Sequence, residues 1–461
     1  MKKRMLALFV CLSMVLSLML SGCGGFASQL REQLEGGKEM LEEIQSMQEG
    51  AEKPDHQEKS DMEIEGAQKP ADSKESGSSK VQVPKAETIN AEDFDVQSYL
   101  YEDSYSSICF LVVTNNSQSV VSIVGDGTAM DAEGSKIGVA KAYFDVLGPG
   151  ETTMKYLYFS DVKGVDSVEY NLEYELCDDY RPVLNDLSVE KFVNEENVVV
   201  RVTNEGDSCA EFLEAHALFF DAQDNVVGHA STYLLDSDDE LKPGKNLSAV
   251  MNAYDPFDHA EVYFSGRSTG KQPDANPPVT DEDFEVEEYF IADKYSSYFL
   301  LTVTNHSEIP VEVRGNAAVE DAEGNLLTAD TSGLDILGPG ETSLLEFYLS
   351  DAEGADSIEY ELSYNADPLY TPIIGDLSCE VTPNSNNAIV AVTNDGTVVA
   401  EFIQAHALFF DAQGQLVHYA SQYVIDDDSQ IKPGKTCVEQ INLYGTAYDH
   451  VEVYLSGRAD T

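Results

Sequence analysis

Tryptophan is absent from this 461-residue chain, and basic side chains are scarce: 27 Lys and Arg stand against 84 Asp and Glu. The net charge of −57 excludes nucleic acid as a partner, because phosphate binding needs clustered cations that release counterions. The same field repels anionic lipid headgroups, so residence at a membrane requires a separate anchor. Without Trp, the usual aromatic platform of glycan-acting enzymes is also missing, which leaves tyrosine to stack on sugars. The seven cysteines match no zinc spacing. No Gly-x-Ser-x-Gly elbow, phosphate-cradling glycine loop or His-Glu-x-x-His is present. Carboxylate pairs discriminate nothing in a chain with 84 acids. Catalysis therefore finds no support in the sequence.

One extended apolar run exists, Met5 to Leu20, preceded by Lys2, Lys3 and Arg4. It is short for a bilayer span and ends in small residues, which predicts a secretory signal over residues 1–22. Its ending, Leu20-Ser21-Gly22-Cys23, resembles the bacterial lipobox. That resemblance implies acylation of Cys23, cleavage before it, and residence on the extracytoplasmic face of the cell membrane of a Gram-positive-type bacterium. Buried acyl chains contribute about 0.8 kcal/mol per CH₂, enough to hold an acidic polypeptide at the membrane. Residues 23–90 carry 15 acidic and eight basic side chains, net −7; the remainder carries 69 and 16, net −53. Phe26, Leu30, Leu34, Leu41, Ile44 and Met47 predict short helical turns near the membrane. The polar stretch from Gly50 to Pro84 predicts a disordered spacer.

Beyond residue 90 the chain is an internal duplication, since Asp281–Arg458 repeats Ala91–Arg267. Each half is double again. A Val-Thr-Asn places Asn at 115, 204, 305 and 394; Asp-Ala follows at Asp131, Asp221, Asp321 and Asp411. Pro-Gly then comes at Pro149, Pro243, Pro339 and Pro433, and each module closes on an alternating strand. Runs such as Phe110–Thr114 and Val198–Thr203 are β-branched or aromatic and stop at Asn, read as a turn residue. About seven short strands per module predict an all-β chain of four tandem immunoglobulin-like antiparallel β-sandwich modules, A1 over 91–180, B1 over 181–267, A2 over 281–370 and B2 over 371–461. Residues 268–280 read as a linker.

At the Asn turn, at Leu218-Phe219-Phe220-Asp221 and Leu408-Phe409-Phe410-Asp411, and at the Pro-Gly turn, the modules resemble bacterial FxLYD-type β-sandwich domains. The likeness covers most of each B module and the A modules more loosely, where only Asp131 and Asp321 remain of the Phe-Phe-Asp signature. It implies extracytoplasmic lipoprotein modules with no assigned chemistry.

Individual residues add few further leads. Cys109, Cys209, Cys379 and Cys437 align with Phe299, Val399, Val189 and Leu247 in the other half, so they read as small buried hydrophobes rather than disulfide partners. His216 and His406 lie in the Phe-Phe-Asp strand, while His259 and His450 open the last strand behind Asp258 and Asp449. If those strands were neighbours, His, His and Asp would form a metal or acid–base site. The B modules insert acidic loops, Asp236, Asp238 and Asp239 in one and Asp426, Asp427 and Asp428 in the other, of a kind that suits Ca²⁺ without any EF-hand spacing. No other cofactor is implied. The reading is a non-catalytic surface lipoprotein, held in the membrane through Cys23, that binds an envelope protein or glycan or acts as a spacer. A solute-binding lipoprotein of a transporter and an unrecognised cell-wall glycan-acting enzyme are the alternatives.

Overall fold

The computed structural model describes residues 89–459 apart from 236–239, 293–296, 351, 353 and 444. The signal, Cys23, the spacer and Asp236, Asp238 and Asp239 therefore lie outside the described residues. Among those described, the chain is antiparallel β-structure with single turns of 3-10 helix at Ala91–Asp93, Leu184–Asp186, Asp281–Asp283 and Ile374–Asp376, one before each module's first strand.

Module A1 contains β1 (Phe94–Glu102), β2 (Ser107–Asn115), β3 (Val121–Met130), β4 (Lys136–Leu147), β5 (Thr152–Phe159) and β6 (Ser167–Leu176). Module B1 contains β7 (Leu187–Val193), β8 (Asn197–Asn204), β9 (Ala210–Phe220), β10 (Val226–Tyr233), β11 (Glu240–Leu241), β12 (Asn246–Asn252) and β13 (His259–Arg267). Module A2 follows with β14 (Phe284–Ala292), β15 (Ser297–Asn305), β16 (Val311–Asp321), β17 (Leu326–Leu337), β18 (Thr342–Leu349) and β19 (Ala355–Asn365). Module B2 closes with β20 (Leu377–Asn384), β21 (Asn387–Asn394), β22 (Ala400–Phe410), β23 (Leu416–Tyr423), β24 (Gln430–Ile431), β25 (Thr436–Asn442) and β26 (His450–Arg458).

Every module is a two-sheet sandwich of one topology. In A1, sheet β1-β2-β5 covers sheet β4-β3-β6; A2 repeats this with β14-β15-β18 and β17-β16-β19. The B modules pair β12-β8-β7 with β10-β9-β13, and β20-β21-β25 with β23-β22-β26. Six strands are long; the seventh of the B modules is only the two-residue β11 or β24, paired to the start of β9 or β22. Inward residues of both sheets form each core, for example Leu111, Ile123, Phe144 and Phe159 in A1. Each such side chain contributes about 1.5–3 kcal/mol when fully buried.

The recurring asparagines are not turn residues. Asn115 is fully buried, and its amide donates to the carbonyls of Ser119 and Leu147 at 2.9 Å while its Oδ1 accepts from Ser117 N–H. Asn204, Asn305 and Asn394 bond in the same way to Ser208 and Leu241, Ile309 and Leu337, and Val398 and Ile431. The side chain thus ties the end of one sheet to the other, which accounts for an amide at all four positions.

The modules do not hang as separate beads. Along β2, Cys109, Leu111 and Val113 face the A1 core, while Ile108, Phe110 and Val112 face outward onto Leu218 and Phe220 of B1. The outer face of β1-β2-β5 therefore packs on the outer face of β10-β9-β13. The same seam joins A2 to B2 through Leu300, Leu344, Leu408 and Phe410. A third seam, Val199 and Phe192 of B1 against Ala318 and Leu326 of A2, joins the halves. Eight sheets consequently stack face to face, with core and seam alternating between them. Strands β2, β9, β15 and β22 are buried on both faces, as continuous apolar runs require.

The turn at Gly148-Pro149-Gly150-Glu151 is also more than a turn. Glu151 is 2% exposed; Oε2 accepts from Gly148 N–H, and Oε1 accepts from Leu184 N–H of B1 at 2.7 Å. Glu341 spans the A2–B2 hinge in a similar way, from Gly338 to Gly375, the counterpart of Asn185. A Cβ on Gly148 would stand 2.5 Å from Pro182, so the hinge closes this tightly only on glycine.

Candidate functional site

The histidines raised by the sequence fall at the A–B seams. In strand register His259 lies opposite Phe220, and His216 lies opposite Tyr263. Strands β9 and β13 are indeed neighbours, but four residues of register keep His216 and His259 apart, as they do His406 and His450. His259 instead stacks on Phe220 at 5.0 Å and points Nδ1 at Asp258, 3.4 Å away; His450 stacks on Phe410 and points at Asp449. Among the described residues no group of three His, Cys, Asp or Glu is arranged to hold a metal. The arrangement of His, His and Asp considered from the sequence is therefore not formed.

Two buried polar networks stand in its place. His216 is 1% exposed and lies 3.3 Å from Glu214, whose carboxylate also accepts from Lys155 Nζ of A1 at 2.8 Å. Burial alone would raise the Glu214 carboxyl, but His216 and Lys155 overcome it and hold the group down to about 2. One repeat later His406 bonds through Nδ1 to Tyr419 Oη at 2.8 Å and through Nε2 to Ser456 Oγ at 3.1 Å. Tyr419 donates in turn to Glu346 of A2 at 2.5 Å, which leaves Nδ1–H as the proton-bearing nitrogen of His406. Burial pushes His406 down to about 4, so it is neutral. The histidine is shared by both seams; its carboxylate comes from B1 in one and from A2 in the other.

Of the second acidic loop, Asp426 Oδ1 accepts from the backbone N–H of Asp428 and Gln430 at 3.0 Å, and Asp428 pairs with Lys432 at 2.9 Å. These carboxylates are engaged in holding a loop in which Ser429 has φ of +62°. Asp221 and its counterparts likewise cap their hairpins, Asp221 accepting from Gln223 and Asn225. All five cysteines beyond Cys23 are unpaired; Cys109 and Cys209 are buried, whereas Cys437 is half-buried and Cys379 exposed, so the expectation of a buried thiol fails at those two.

A cleft lies where the sequence offered no signal, at the B1–A2 junction. It measures about 610 Å³ and is lined by B1, the 268–280 linker and A2. Lys242, Lys245, Lys271 and Arg314 all reach it, four of the 16 basic residues after residue 90. Lys245 pairs with Glu361 at 2.7 Å and Lys271 with Glu240 at 2.8 Å. Tyr233, Tyr364, Thr331, Ser332 and Asn365 complete its walls. Alternating donors, acceptors and phenol rings suit a neutral, hydroxyl-rich ligand. The scarcity of cations elsewhere was the available clue, but only the fold assembles these four.

No family model matches this chain, and no curated protein matches it. A solved structure, Escherichia coli alpha-2-macroglobulin activated by porcine elastase, aligns over 78% of this chain at 8% identity with a TM-score of 0.13. The chain spans 44% of that protein, and so slight a likeness carries no argument. Among the described residues no helix is long and apolar enough to cross a membrane.

Proposed function

We propose that this protein is a non-catalytic, lipid-anchored envelope protein that holds a four-module β-sandwich stack clear of the membrane and binds a polar envelope ligand, a glycan first among them, in its B1–A2 cleft. The observation that carries the reading is the burial of β2, β9, β15 and β22 on both faces at the A–B seams together with the Val199–Ala318–Leu326 seam between the halves, which supports one stacked body of four modules. A stacked body on a polar spacer serves to display a site at a distance. The lipobox at Cys23 and the likeness to FxLYD-type lipoprotein modules support the location. The net −53 after residue 90 favours standing off an anionic surface.

Fractionation of cells carrying Cys23→Ala tests the anchor: the variant moves from membrane to medium, and continued membrane retention rejects it. Binding of soluble cell-wall glycan fragments, compared between the native chain and Tyr364→Ala, tests the cleft. Equal binding by the two rejects that seat.

A further inference from the structure

We infer that the two ends of the stack are complementary docking faces and that a second copy of this chain occupies them, head to tail. The duplication makes this readable residue by residue. The central seam sets the outer face of β12-β8-β7 on the outer face of β17-β16-β19. The counterparts of those faces, on β25-β21-β20 of B2 and on β4-β3-β6 of A1, are the two outermost faces and, among the described residues, have no module against them.

The end faces have changed in matched fashion. At the centre Arg201, 8% exposed, bonds Glu320 at 2.6 Å. Their counterparts are Ala391 and Met130, so both charges have given way to apolar groups together. Losing only one would have stranded a buried charge. Val199 becomes Ile389, Ser248 becomes Val438 and Ala329 becomes Val139. Val438 on the B2 face is 56% exposed and Val139 on the A1 face 79%, with Tyr143 on the same strand as Val139 59% exposed. Lys245 and Glu361, an ion pair at the centre, are matched by Lys435 and Asn171, still donor and acceptor. Asn316, which exchanges two hydrogen bonds with the Ser248 backbone, becomes Asp126, paired to Lys141 at 2.7 Å. That pair offers an acceptor and a donor to the Val438 backbone.

Acids on these faces include Glu169 and Glu173 of A1, the latter acting on Lys141, and Glu380 of B2; Glu169 and Glu380 lack the arginine that separates Glu359 and Glu190 at the centre. Association between copies therefore strengthens as salt screens them, the reverse of an ion-pair contact. The two faces differ and lie at opposite ends of the stack, so the contact is heterologous and extends end to end as a filament. No linker spans it, so it forms only at high local concentration.

Sedimentation velocity on the full chain carrying Cys23→Ser, up to about 1 mM and across a salt series, tests the inference. Association is expected to be reversible, to rise with concentration and salt, and to weaken about tenfold or more in Val438→Glu or Val139→Glu. A mixture of those two variants retains one intact face from each chain, so it forms dimers and nothing larger. Ala391→Arg weakens association, and adding Met130→Glu restores it by rebuilding the central ion pair. The substituted sites lie on outermost faces, and unchanged thermal melting verifies folding. A monomer at every concentration and salt overturns the inference; so does association that ignores Val438→Glu, Val139→Glu and Ala391→Arg.

Discussion

Arg267 at the end of β13 donates through Nη1 to Asp145 on β4, 2.5 Å away, and so bolts B1 to the module before it. Arg458 makes the same bond to Asp335 of A2. Each guanidinium also lies between two rings, Arg267 over Tyr180 at 4.0 Å and Phe212 at 4.2 Å, Arg458 over Tyr370 and Phe402. Phe212 and Phe402 reach those positions only through a left-handed backbone, φ +54° and +53°. A non-glycine residue held there costs about 1–3 kcal/mol, sustained because the bulge aims the ring at the arginine.

Replacing Arg267 by Ala should therefore loosen A1 from B1 and lower stability by about 1–2 kcal/mol, the range of a partly desolvated cation–π contact plus an ion pair. Arg267→Lys should recover little, because an ammonium cannot stack between two rings while donating sideways. Urea unfolding monitored by tyrosine fluorescence reads the loss, and small-angle scattering reads the added freedom between modules. Equal stability of Lys and native chains would show that the charge alone acts.

The four buried asparagines give a second test. Asn204→Ala removes an amide that donates to two buried carbonyls and accepts from the half-buried Gly206 N–H, leaving three backbone groups without that partner. The expected loss is about 2–4 kcal/mol. Asn204→Asp is expected to be no better, since a carboxylate accepts where the two carbonyls need a donor. Hydrogen exchange at Gly206 N–H, which loses its acceptor, locates the loosened joint. Because the stack holds four modules, unfolding should show local loss in B1 before the rest, and a single global midpoint is not the quantity to compare.

The four modules were legible because strand period, Asn, Asp-Ala and Pro-Gly recur in fixed order, and a repeated pattern outweighs any one ambiguous segment. The stacking was not. Ile108, Phe110 and Val112 differ from ordinary outward residues of a sandwich only in being apolar, and the partner they meet, Leu218 and Phe220, is about a hundred residues away. The signal was present as runs that fail to alternate, which a strand shows when both faces are covered. His216 with His259 fails for a related reason: adjacency of strands can be guessed from topology, but register needs the bulges, here one between Ser265 and Arg267. Asn115 looked like a turn former because turns and buried clamps both favour a short amide, and burial separates them.

Acid should weaken the second A–B seam through His406. An unfolded histidine titrates near 6.5, whereas His406 in the folded chain titrates near 4. Between those values the unfolded chain binds more protons, so stability falls as pH drops from about 6.5 to about 4, by on the order of 3 kcal/mol in all. Tyr419 and Ser456 bond the ring, and Glu346 lies 3.9 Å from it. His406→Gln keeps polar partners for Tyr419 and Ser456 and should flatten the thermal stability profile of B2 over this range. A profile that keeps its slope in that variant would assign the acid sensitivity to another group.

The hinges allow the sharpest separation of charge from geometry. Glu151 accepts from Gly148 N–H at 2.6 Å and from Leu184 and Asn185 N–H at 2.7 and 3.3 Å. Burial raises its carboxyl and these backbone bonds oppose the rise, with burial the stronger. If charge were the difficulty, Glu151→Gln would stabilise the hinge by removing it. The geometry says otherwise, because all the neighbours are donors and glutamine presents an NH₂ to at least one of them. Glu151→Gln should cost about 1–3 kcal/mol and expose Leu184 N–H to exchange, with Gly375 N–H, held by Glu341, as the unperturbed internal control. Glu151→Asp separates the two causes again: it keeps the charge but lacks the length to reach both Gly148 and Leu184, so loss of protection at Leu184 alone marks reach as decisive.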